Sequence, residues 1–314
     1  MANLDVINKY RFTVFTPTYN RAHTLPRLYE SLKHQTFCDF EWLIVDDGST
    51  DNTRDLVTAW QKCTSRKFPI RYFWQENAHK KAAFDRGVSE ANGELFYNFD
   101  SDDEMLPRAL ELLDRHWQNI PEAERHGFTG VTGLCITANG DTIGTRFPMD
   151  VLDSDSQEMY YRYKIRGEKS GFHRTDVLRQ FRFPLNVQGH VPEGVVWSAI
   201  AISFKTRFVN DPLRVYHYEP ISIMHSSGDP GQDADGLSLW QREILCNELR
   251  WFFYNPFWLL KAAANYSRFH LHLYKTQPGK RWPLKGIAPR LLVAMMWPIG
   301  TLLFWLDKRK SGVG

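Results

Sequence analysis

The sequence predicts an α/β protein built on a mostly parallel sheet with helices on both faces. Over the first third of the chain, short runs rich in β-branched and aromatic residues alternate with longer segments of helical apolar spacing. This alternation is typical of parallel strands joined by crossover helices. Two of the runs end directly in carboxylates, as expected where a ligand binds beyond the carboxyl ends of the strands.

The individual elements follow from local patterns. Apolar runs bounded by turn residues predict four strands, at 12–16, 41–45, 70–75 and 94–99. Apolar residues at helical spacing predict three intervening helices, at about 25–35, 50–62 and 80–90. We expect the ends of the second and fourth strands to meet at one edge of the sheet.

The second half of the chain changes character. Two apolar stretches, 131–136 and 142–147, flank Asn139-Gly140 and predict a hairpin. Residues 171–178 then lead into a helix. We therefore divide the chain into a first half of the main domain, a second half of the same domain and a C-terminal helical region; their predicted bounds are 1–120, 121–225 and 226–314.

Composition places the chain among ordinary globular proteins. It has 314 residues, of which 43% are hydrophobic and 24% charged, and its formal net charge of +3 implies no nucleic-acid partner. Four cysteines without metal-ligand spacing suit a reducing compartment. Residues 1–11 are polar and lack the apolar stretch of a secretory signal, so we expect the chain to start in the cytosol.

The acidic clusters carry the strongest chemical signal. Asp100, Asp102 and Asp103 place three carboxylates within four residues after an apolar strand, an unfavourable arrangement unless a cation neutralises them. Mn²⁺ or Mg²⁺ suits such oxygen ligands and completes its shell with substrate phosphates. Asp46 and Asp47 end another strand. Taken singly, either cluster also fits a turn that caps the following helix.

Four ordered motifs carry a resemblance to a known family. They are Thr-Pro-Thr-Tyr-Asn-Arg at 16–21, Ser-Leu-Lys-His-Gln-Thr-Phe at 31–37, Val-Asp-Asp-Gly-Ser-Thr-Asp at 45–51 and Asp-Ser-Asp-Asp at 100–103. Together they resemble the family 2 glycosyltransferases of GT-A fold over about residues 10 to 220. The resemblance implies a Rossmann-like GT-A domain that transfers a sugar, with inversion, from a nucleoside-diphosphate sugar in the synthesis of bacterial surface polysaccharides.

The resemblance also implies roles for single positions. Thr16, predicted in the loop after the first strand, should lie against the nucleotide, and Asp47 matches the aspartate that reads a uracil ring. Lys80 is expected to contact base or phosphate, although a solvated basic start of a helix explains it equally well. Asp102 should lie near ribose and metal, with Asp103 or Asp100 completing the coordination. The implied donor-binding residues are Thr16, Pro17, Tyr19, Asn20, Asp47, Lys80, Asp100 and Asp102, and the metal ligands are Asp102 and Asp103.

An inverting transfer needs one carboxylate to take the acceptor's proton during in-line attack. Members of the family often carry a pair of acids before an apolar helix in this region. Here only Glu193 matches, because Gly194 stands where the second acid is customary. We therefore predict Glu193 as the catalytic base. The alternative is a first-turn residue favoured by the helix dipole, and Asp211 is a weaker rival.

Other side chains carry weaker signals. His225 lies where a GT-A loop can close over the diphosphate, but a surface loop is the preferred interpretation. Trp74 and Trp197 offer aromatic faces to a sugar, and we prefer a core role for both.

The C-terminal region predicts attachment to a membrane. Six of the eleven tryptophans lie in the last quarter of the chain, and residues 291–306 carry no charge. A helix of that length spans about 24 Å, short of the roughly 30 Å hydrocarbon core. Lys and Arg lie on both sides of the run, which favours a helix in the plane of anionic headgroups. The alternatives are a buried helix or a dimer contact.

The sequence thus predicts a glycosyltransferase at the cytoplasmic face of the inner (plasma) membrane, monotopic or peripheral. Its partners would be a nucleoside-diphosphate sugar, with UDP favoured by the resemblance, and a lipid-linked or oligosaccharide acceptor. One alternative is a catalytically silent, nucleotide-sugar-binding subunit. Another is a sugar-phosphate nucleotidyltransferase, which usually has a glycine-rich basic loop that is missing after Thr16.

Overall fold

The computed structural model describes residues 9–64, 67–218 and 231–310. These residues form two compact units. The first unit contains the described residues up to 155 together with 165–182 and 204–218. The second contains 156–164, 183–203 and 231–310.

A mixed sheet forms the centre of the first unit. Within the described residues its strands are β1 (Tyr10–Thr18), β2 (Phe40–Asp46), β3 (Ile70–Trp74), β4 (Gly93–Asn98), β5 (Glu104–Met105), β6 (Phe128–Ile136), β7 (Val151–Ser154), β8 (Lys169–Arg174) and β9 (Lys205–Val215). Their order is β3-β2-β1-β4-β8-β6-β9-β5, and β7 pairs with β9. The first four strands are parallel, whereas β8 is antiparallel to β4 and β6.

Helices cover both faces of this sheet. They are α1 (Leu25–Lys33), α2 (Thr53–Lys62), α3 (His79–Glu90), α4 (Ala109–Gln118) and, between β8 and β9, α6 (Thr175–Gln180), with a 3₁₀ segment at Glu122–Gly127. Side chains of β1 alternate between the faces: Phe12 and Val14 join the core under α1 and α4, while Phe15 packs on Phe84 of α3. The predicted α/β architecture is confirmed.

The hairpin predicted around Asn139-Gly140 forms only in part. The turn exists, with Gly140 at φ 88°, but a single bridge between Ile136 and Thr142 replaces the second strand. β6 instead pairs with β8 on one side and β9 on the other. Central strands that already have two neighbours have no free edge for a local hairpin, so the long-range pairing prevails.

The second unit is helical in its described part. Its helices are α5 (Ser156–Tyr161), α7 (Gly194–Ser203), α8 (Ala234–Asn247), α9 (Pro256–Thr276) and α10 (Ile287–Lys310), with a 3₁₀ turn at Leu249–Trp251. Leu245, Leu259 and Ala263 lie at the centre of a core to which Val293 of α10 also belongs. Segments 156–164 and 183–203, which we predicted in the second half of the main domain, group with these helices.

Among the described helices, α10 alone has the length and composition to cross a membrane. The qualifying stretch is Ile287–Arg309, of which 22% is buried. The helix is longer than the uncharged run from which we reasoned, and at about 1.5 Å per residue it reaches about 36 Å. Its length therefore does not exclude a crossing, contrary to our expectation from the shorter run.

Candidate active site

The two acidic clusters lie at one edge of the sheet. β1 is paired in parallel with β2 on one side and β4 on the other, with Thr18 opposite Asp46 and Phe15 opposite Asn98. The residues after β2 and β4 therefore leave the sheet at the same edge, two strand spacings or about 10 Å apart. This is the juxtaposition that the sequence predicted.

The carboxylates after β2 organise the loops around them. Asp46 is buried and accepts hydrogen bonds from the Ser49 amide at 2.8 Å and the Tyr72 hydroxyl at 2.5 Å. Asp47 accepts from the Gln75 side chain at 2.8 Å and the Ala78 amide at 3.0 Å. Burial raises the pKa of Tyr72, and the hydrogen bond to Asp46 adds a smaller upward shift. The Asp47 carboxylate, which follows β2, is therefore held against the loop before α3 by Gln75 and Ala78.

The first motif forms a clamp between two loops. Asn20, at φ 54°, accepts from the Thr50 amide at 2.8 Å, while its own amide donates to Ser49 Oγ at 2.8 Å. Asn20 thus shapes the loop that follows β2. Tyr19 beside it is 42% exposed, so its ring is accessible to a ligand.

Thr16 and Pro17 differ from the prediction. Both lie within β1 rather than in the loop after it, because the strand extends to Thr18. The Thr16 side chain is fully buried and accepts from the Trp42 indole at 3.0 Å. The placement of Thr16 in a loop was wrong; its contact with a nucleotide stays a prediction.

A buried arginine neutralises the second acidic cluster. Arg214 of β9 forms ion pairs with Asp100 and Asp103, and Lys80 lies 3.2 Å from the other oxygen of Asp100. Asp103 is 1% exposed and also accepts from the His217 amide at 2.8 Å. The like-charge repulsion that led us to expect a metal ion is offset here by two side chains of the protein itself.

These contacts give Asp100 and Asp103 different pKa values. Burial by itself would raise the pKa of Asp100, but the charges of Lys80 and Arg214 hold that pKa at about 2. Burial raises the pKa of Asp103 to about 7, against the opposing effect of Arg214. Asp100 is therefore ionised at neutral pH, whereas Asp103 lies near its midpoint.

Asp102 is the carboxylate of this cluster with the longest ion-pair distance. Its side chain is 24% exposed, 4.0 Å from the Arg21 guanidinium, and its backbone carbonyl accepts from Arg27 at 2.6 Å. Among the residues that the structure describes, no three acidic, histidine or cysteine side chains form a group that holds a metal. The predicted pair is separated: Asp102 fits a divalent ion that takes its other ligands from a diphosphate, whereas Asp103 is engaged by Arg214.

Lys80 lies in the first turn of α3, a helix without a side-chain cap at its start. Unpaired amides at a helix start favour anions. The residue before it, His79, has φ 68°, an uncommon conformation for a side chain of this size. The arrangement suits phosphate, and the salt bridge to Asp100 shows that Lys80 reaches the acidic cluster.

The predicted base, Glu193, belongs to the second unit. It lies directly before α7, and its backbone carbonyl accepts from the Val196 amide, as predicted for an acid at a helix start. Its carboxylate accepts from the Trp197 indole at 3.4 Å. The rival Asp211 lies in β9, 2.6 Å from the His116 ring. Asp211 is thus paired with a histidine of α4.

Two remaining predictions have different outcomes. Trp74, at the end of β3, is 41% exposed with the Arg54 guanidinium 5.5 Å from its ring, so the core role that we preferred is wrong. His225 lies outside the described residues.

Sequence reasoning missed Arg214, Tyr72 and Gln75. Arg214 is 114 positions from Asp100 and becomes its partner only when β9 joins the sheet. Nothing in the local pattern marks it. Tyr72 lies in β3 and Gln75 in the loop after it. Their contacts with Asp46 and Asp47 form only because β2 and β3 pair in parallel, which the sequence near Tyr72 and Gln75 does not show.

Comparison with known proteins agrees with this geometry. The family model for glycosyl transferase family 2 matches residues 13–184, more than half of the chain. The chain belongs to the family 2 glycosyltransferases. This glycosyltransferase is 26% identical over 304 residues to a GalNAc(5)-diNAcBac-PP-undecaprenol beta-1,3-glucosyltransferase of Campylobacter jejuni, with 91% of this chain and 93% of that protein covered.

Further similarities extend the same result. The glycosyltransferase GlyG of Streptococcus pneumoniae is 26% identical over 248 residues, covering 74% of this chain and 79% of GlyG. Among solved structures, S. aureus TarS 1–349 in complex with UDP-GlcNAc matches with a TM-score of 0.61 and 18% identity over 96% of this glycosyltransferase and 83% of the TarS chain. The structural likeness confirms the GT-A fold.

Proposed function

We propose that this glycosyltransferase moves a sugar, with inversion, from a UDP-sugar to a lipid-linked or growing glycan acceptor in cell-surface polysaccharide synthesis. The observation that carries the proposal is the placement of Asp47 and Asp102 at one edge of a parallel sheet. The similarity to a glucosyltransferase whose named substrate is an undecaprenol-linked glycan supports the acceptor class. The similarity to TarS with bound UDP-GlcNAc supports the donor-binding fold.

In this proposal the nucleotide lies across the ends of β1 and β2. Asp47 has one carboxylate oxygen engaged by Gln75 and Ala78, which fixes its direction. Its second oxygen would accept from the N–H of a uracil ring, and Tyr19 would offer its exposed ring beside the base. A rigid acceptor of this kind discriminates bases because a mismatched group leaves a buried oxygen unpaired.

The diphosphate would lie between Asp102 and Lys80. Mn²⁺ or Mg²⁺ bound there would neutralise charge on the departing diphosphate. Asp102 would hold that ion together with phosphate oxygens, since its ion pair with Arg21, at 4.0 Å, is the longest in the cluster. Lys80 and the start of α3 would contact the phosphates directly. Asp100 and Asp103 would keep the loop in place through Arg214.

Glu193 would act as the base. Inversion requires the acceptor hydroxyl to attack the anomeric carbon from the side opposite the leaving diphosphate. The Glu193 carboxylate would take the hydroxyl proton as the new glycosidic bond forms and the bond to the diphosphate breaks. Trp197 would hold the carboxylate in position through its indole N–H.

The C-terminal helix would hold the enzyme at the cytoplasmic face of the inner membrane. Apolar side chains of α10 recur every three or four residues on its exposed face: Ile287, Leu291, Met295, Ile299, Leu302 and Leu306. A stripe with this spacing lies in the membrane interface, with the flanking lysines and arginines near anionic headgroups. A lipid-linked acceptor would be reached from the same surface.

Two other functions fit less well. A silent nucleotide-sugar-binding subunit would tolerate loss of Glu193, and the contact of Glu193 with Trp197 favours a positioned carboxylate instead. A sugar-phosphate nucleotidyltransferase is disfavoured by the family match.

The test is thermal stabilisation of the purified full chain by UDP, GDP and TDP, each with and without Mn²⁺. We expect UDP with Mn²⁺ to raise the melting temperature most, since a ligand at one hundred times its Kd adds about 2.7 kcal/mol. The Asp102→Asn variant should lose the part of this stabilisation that depends on Mn²⁺. Asp39→Asn is the matched control, because Asp39 is exposed before the start of β2, at the opposite edge of the sheet.

Each result bears on one part of the proposal. Equal stabilisation with and without Mn²⁺ would exclude a role for a metal ion in nucleotide binding. If none of the three nucleotides stabilised the protein, the proposed nucleotide-binding site would be excluded.

A further inference from the structure

The second unit contains a pocket of about 180 Å³ that has no part in the proposed donor site. Helices α5, α7, α8 and α9 contribute its lining. Five large aromatic side chains line it: Tyr160, Tyr161, Trp197, Trp240 and Trp258. Its other polar side chains are those of Ser156, Gln157, Ser198 and Glu248. Aromatic walls with a few fixed polar groups are typical of a site for a small ligand.

The polar groups are held in a network. Glu248 accepts from Ser198 Oγ at 2.7 Å and from the Tyr161 hydroxyl at 2.5 Å. Gln157 donates to the Ser198 carbonyl at 3.2 Å, and its own carbonyl accepts from the Trp251 indole at 3.1 Å. A carboxylate has about four lone pairs, so Glu248 retains the capacity to accept further hydrogen bonds from a ligand.

The pocket adjoins the proposed base. Trp197 lines it and also donates to the Glu193 carboxylate at 3.4 Å. Gly194 lies in its wall, and a Cβ added there would come within 2.9 Å of the Trp240 indole nitrogen. The glycine at the position where an acid is customary therefore lets an indole pack against the start of α7, beside Glu193.

We propose that this aromatic pocket binds a pyranose ring of the acceptor glycan, next to the hydroxyl that Glu193 deprotonates. The inference rests on the proposed function and adds to it the subsite that holds the acceptor. A pyranose has a C–H face that packs on aromatic rings and a rim of hydroxyls. That rim would donate to the Glu248 carboxylate, whose oxygens retain lone pairs.

An isoprenoid chain is the other ligand class with an apolar surface. It would fill the aromatic part but would leave the acceptor capacity of Glu248 unused. A half-buried carboxylate costs free energy that a purely apolar site has no reason to retain. The polar network of Glu248, Ser198 and Gln157 therefore favours the sugar.

The test is saturation-transfer NMR on the full chain with methyl β-D-glucopyranoside and methyl 2-acetamido-2-deoxy-β-D-galactopyranoside as probes. We expect saturation of the ring C–H protons of at least one glycoside. Trp258→Ala should weaken its binding about tenfold or more through loss of one aromatic face. Trp305→Ala is the matched control, a tryptophan 57% exposed on α10 and outside the pocket lining; it should bind as the wild type does.

Gly194→Ala provides a second variant with little risk to folding, since it adds one methyl group that displaces the Trp240 indole. It too should weaken glycoside binding while UDP still raises the melting temperature. Unchanged glycoside binding in both variants would overturn the subsite. Displacement of the glycoside by farnesyl phosphate, with tighter binding of the latter, would assign the pocket to lipid instead. If UDP did not raise the melting temperature of the wild-type protein, that result would count against the proposed function and not against the pocket.

Discussion

Replacing Arg214 by methionine tests the role of the buried arginine in the acidic cluster. Arg214 is 5% exposed, and its partner Asp103 has a side chain with 1% exposure, so the substitution leaves a buried carboxylate without its cation. Breaking such a pair from one side costs about 3–5 kcal/mol. Asp100 is 32% exposed and retains Lys80, so we expect most of the loss to come from Asp103.

The loss should depend on pH. Burial raises the pKa of Asp103 to about 7 in the native protein, and removal of Arg214 raises it further. Above pH 7 the folded variant therefore binds more protons than the folded native protein. Its stability relative to the native protein falls as pH rises, by about 1.4 kcal/mol per unit until the new pKa is reached.

The assay is urea denaturation at pH 7 and pH 8.5 in the presence of EDTA, followed by circular dichroism. A second substitution, Asp103→Asn, removes the unpaired charge while its carbonyl still accepts from the His217 amide. We expect the double variant to be more stable than Arg214→Met alone at pH 8.5. An Arg214→Met protein as stable as the native one at pH 8.5, or a double variant no better than the single one, would refute the assigned ion pair.

Three further predictions concern other parts of the molecule. Glu193→Gln should lower the transfer rate by about 10²–10⁴-fold with unchanged UDP stabilisation; residual transfer near the native rate in a radiolabelled-sugar assay would exclude it as the base. Burial lowers the pKa of His173 to about 4, so stability should be full above pH 6.5 and fall by up to about 3 kcal/mol towards pH 4; His173→Gln should flatten this profile in thermal melts, and an identical profile would contradict the assignment. The double substitution Met295→Glu and Leu302→Glu should reduce sedimentation with phosphatidylglycerol vesicles at least about tenfold, because it places two negative charges in the exposed apolar stripe of α10. Unchanged sedimentation would exclude that stripe as the membrane-binding surface.

Local pattern was sufficient for the first half of the fold. The predicted strand at 41–45 is β2 (Phe40–Asp46), and the helix predicted at 80–90 is α3 (His79–Glu90). These elements are specified by short-range alternation and by turn residues, both readable in the chain. The meeting of Asp47 and Asp102 followed as well, because parallel strands joined by crossovers bring their carboxyl ends to one edge.

The second half was less readable. β6 ends in the apolar stretch before Asn139-Gly140, and a second apolar stretch follows that turn, which favours a local hairpin. Its actual partners, β8 and β9, lie tens of residues further along the chain. Competition between a local and a distant strand is decided by total burial in the sheet, and a sequence window contains no measure of that burial.

The sequence by itself determined the α/β order, the family and the acidic residues at the strand ends, since each depends on neighbouring residues in the chain. Tertiary structure alone decided which of these acids is engaged by the buried arginine. Arg214 arrives on β9 and engages Asp103, while Asp102 stays partly exposed. The aromatic pocket beside Glu193 likewise exists only once α5, α7, α8 and α9 are packed. The reason is the same in both cases: the electrostatic and packing energies of these residues come from groups distant in sequence, which local spacing does not encode.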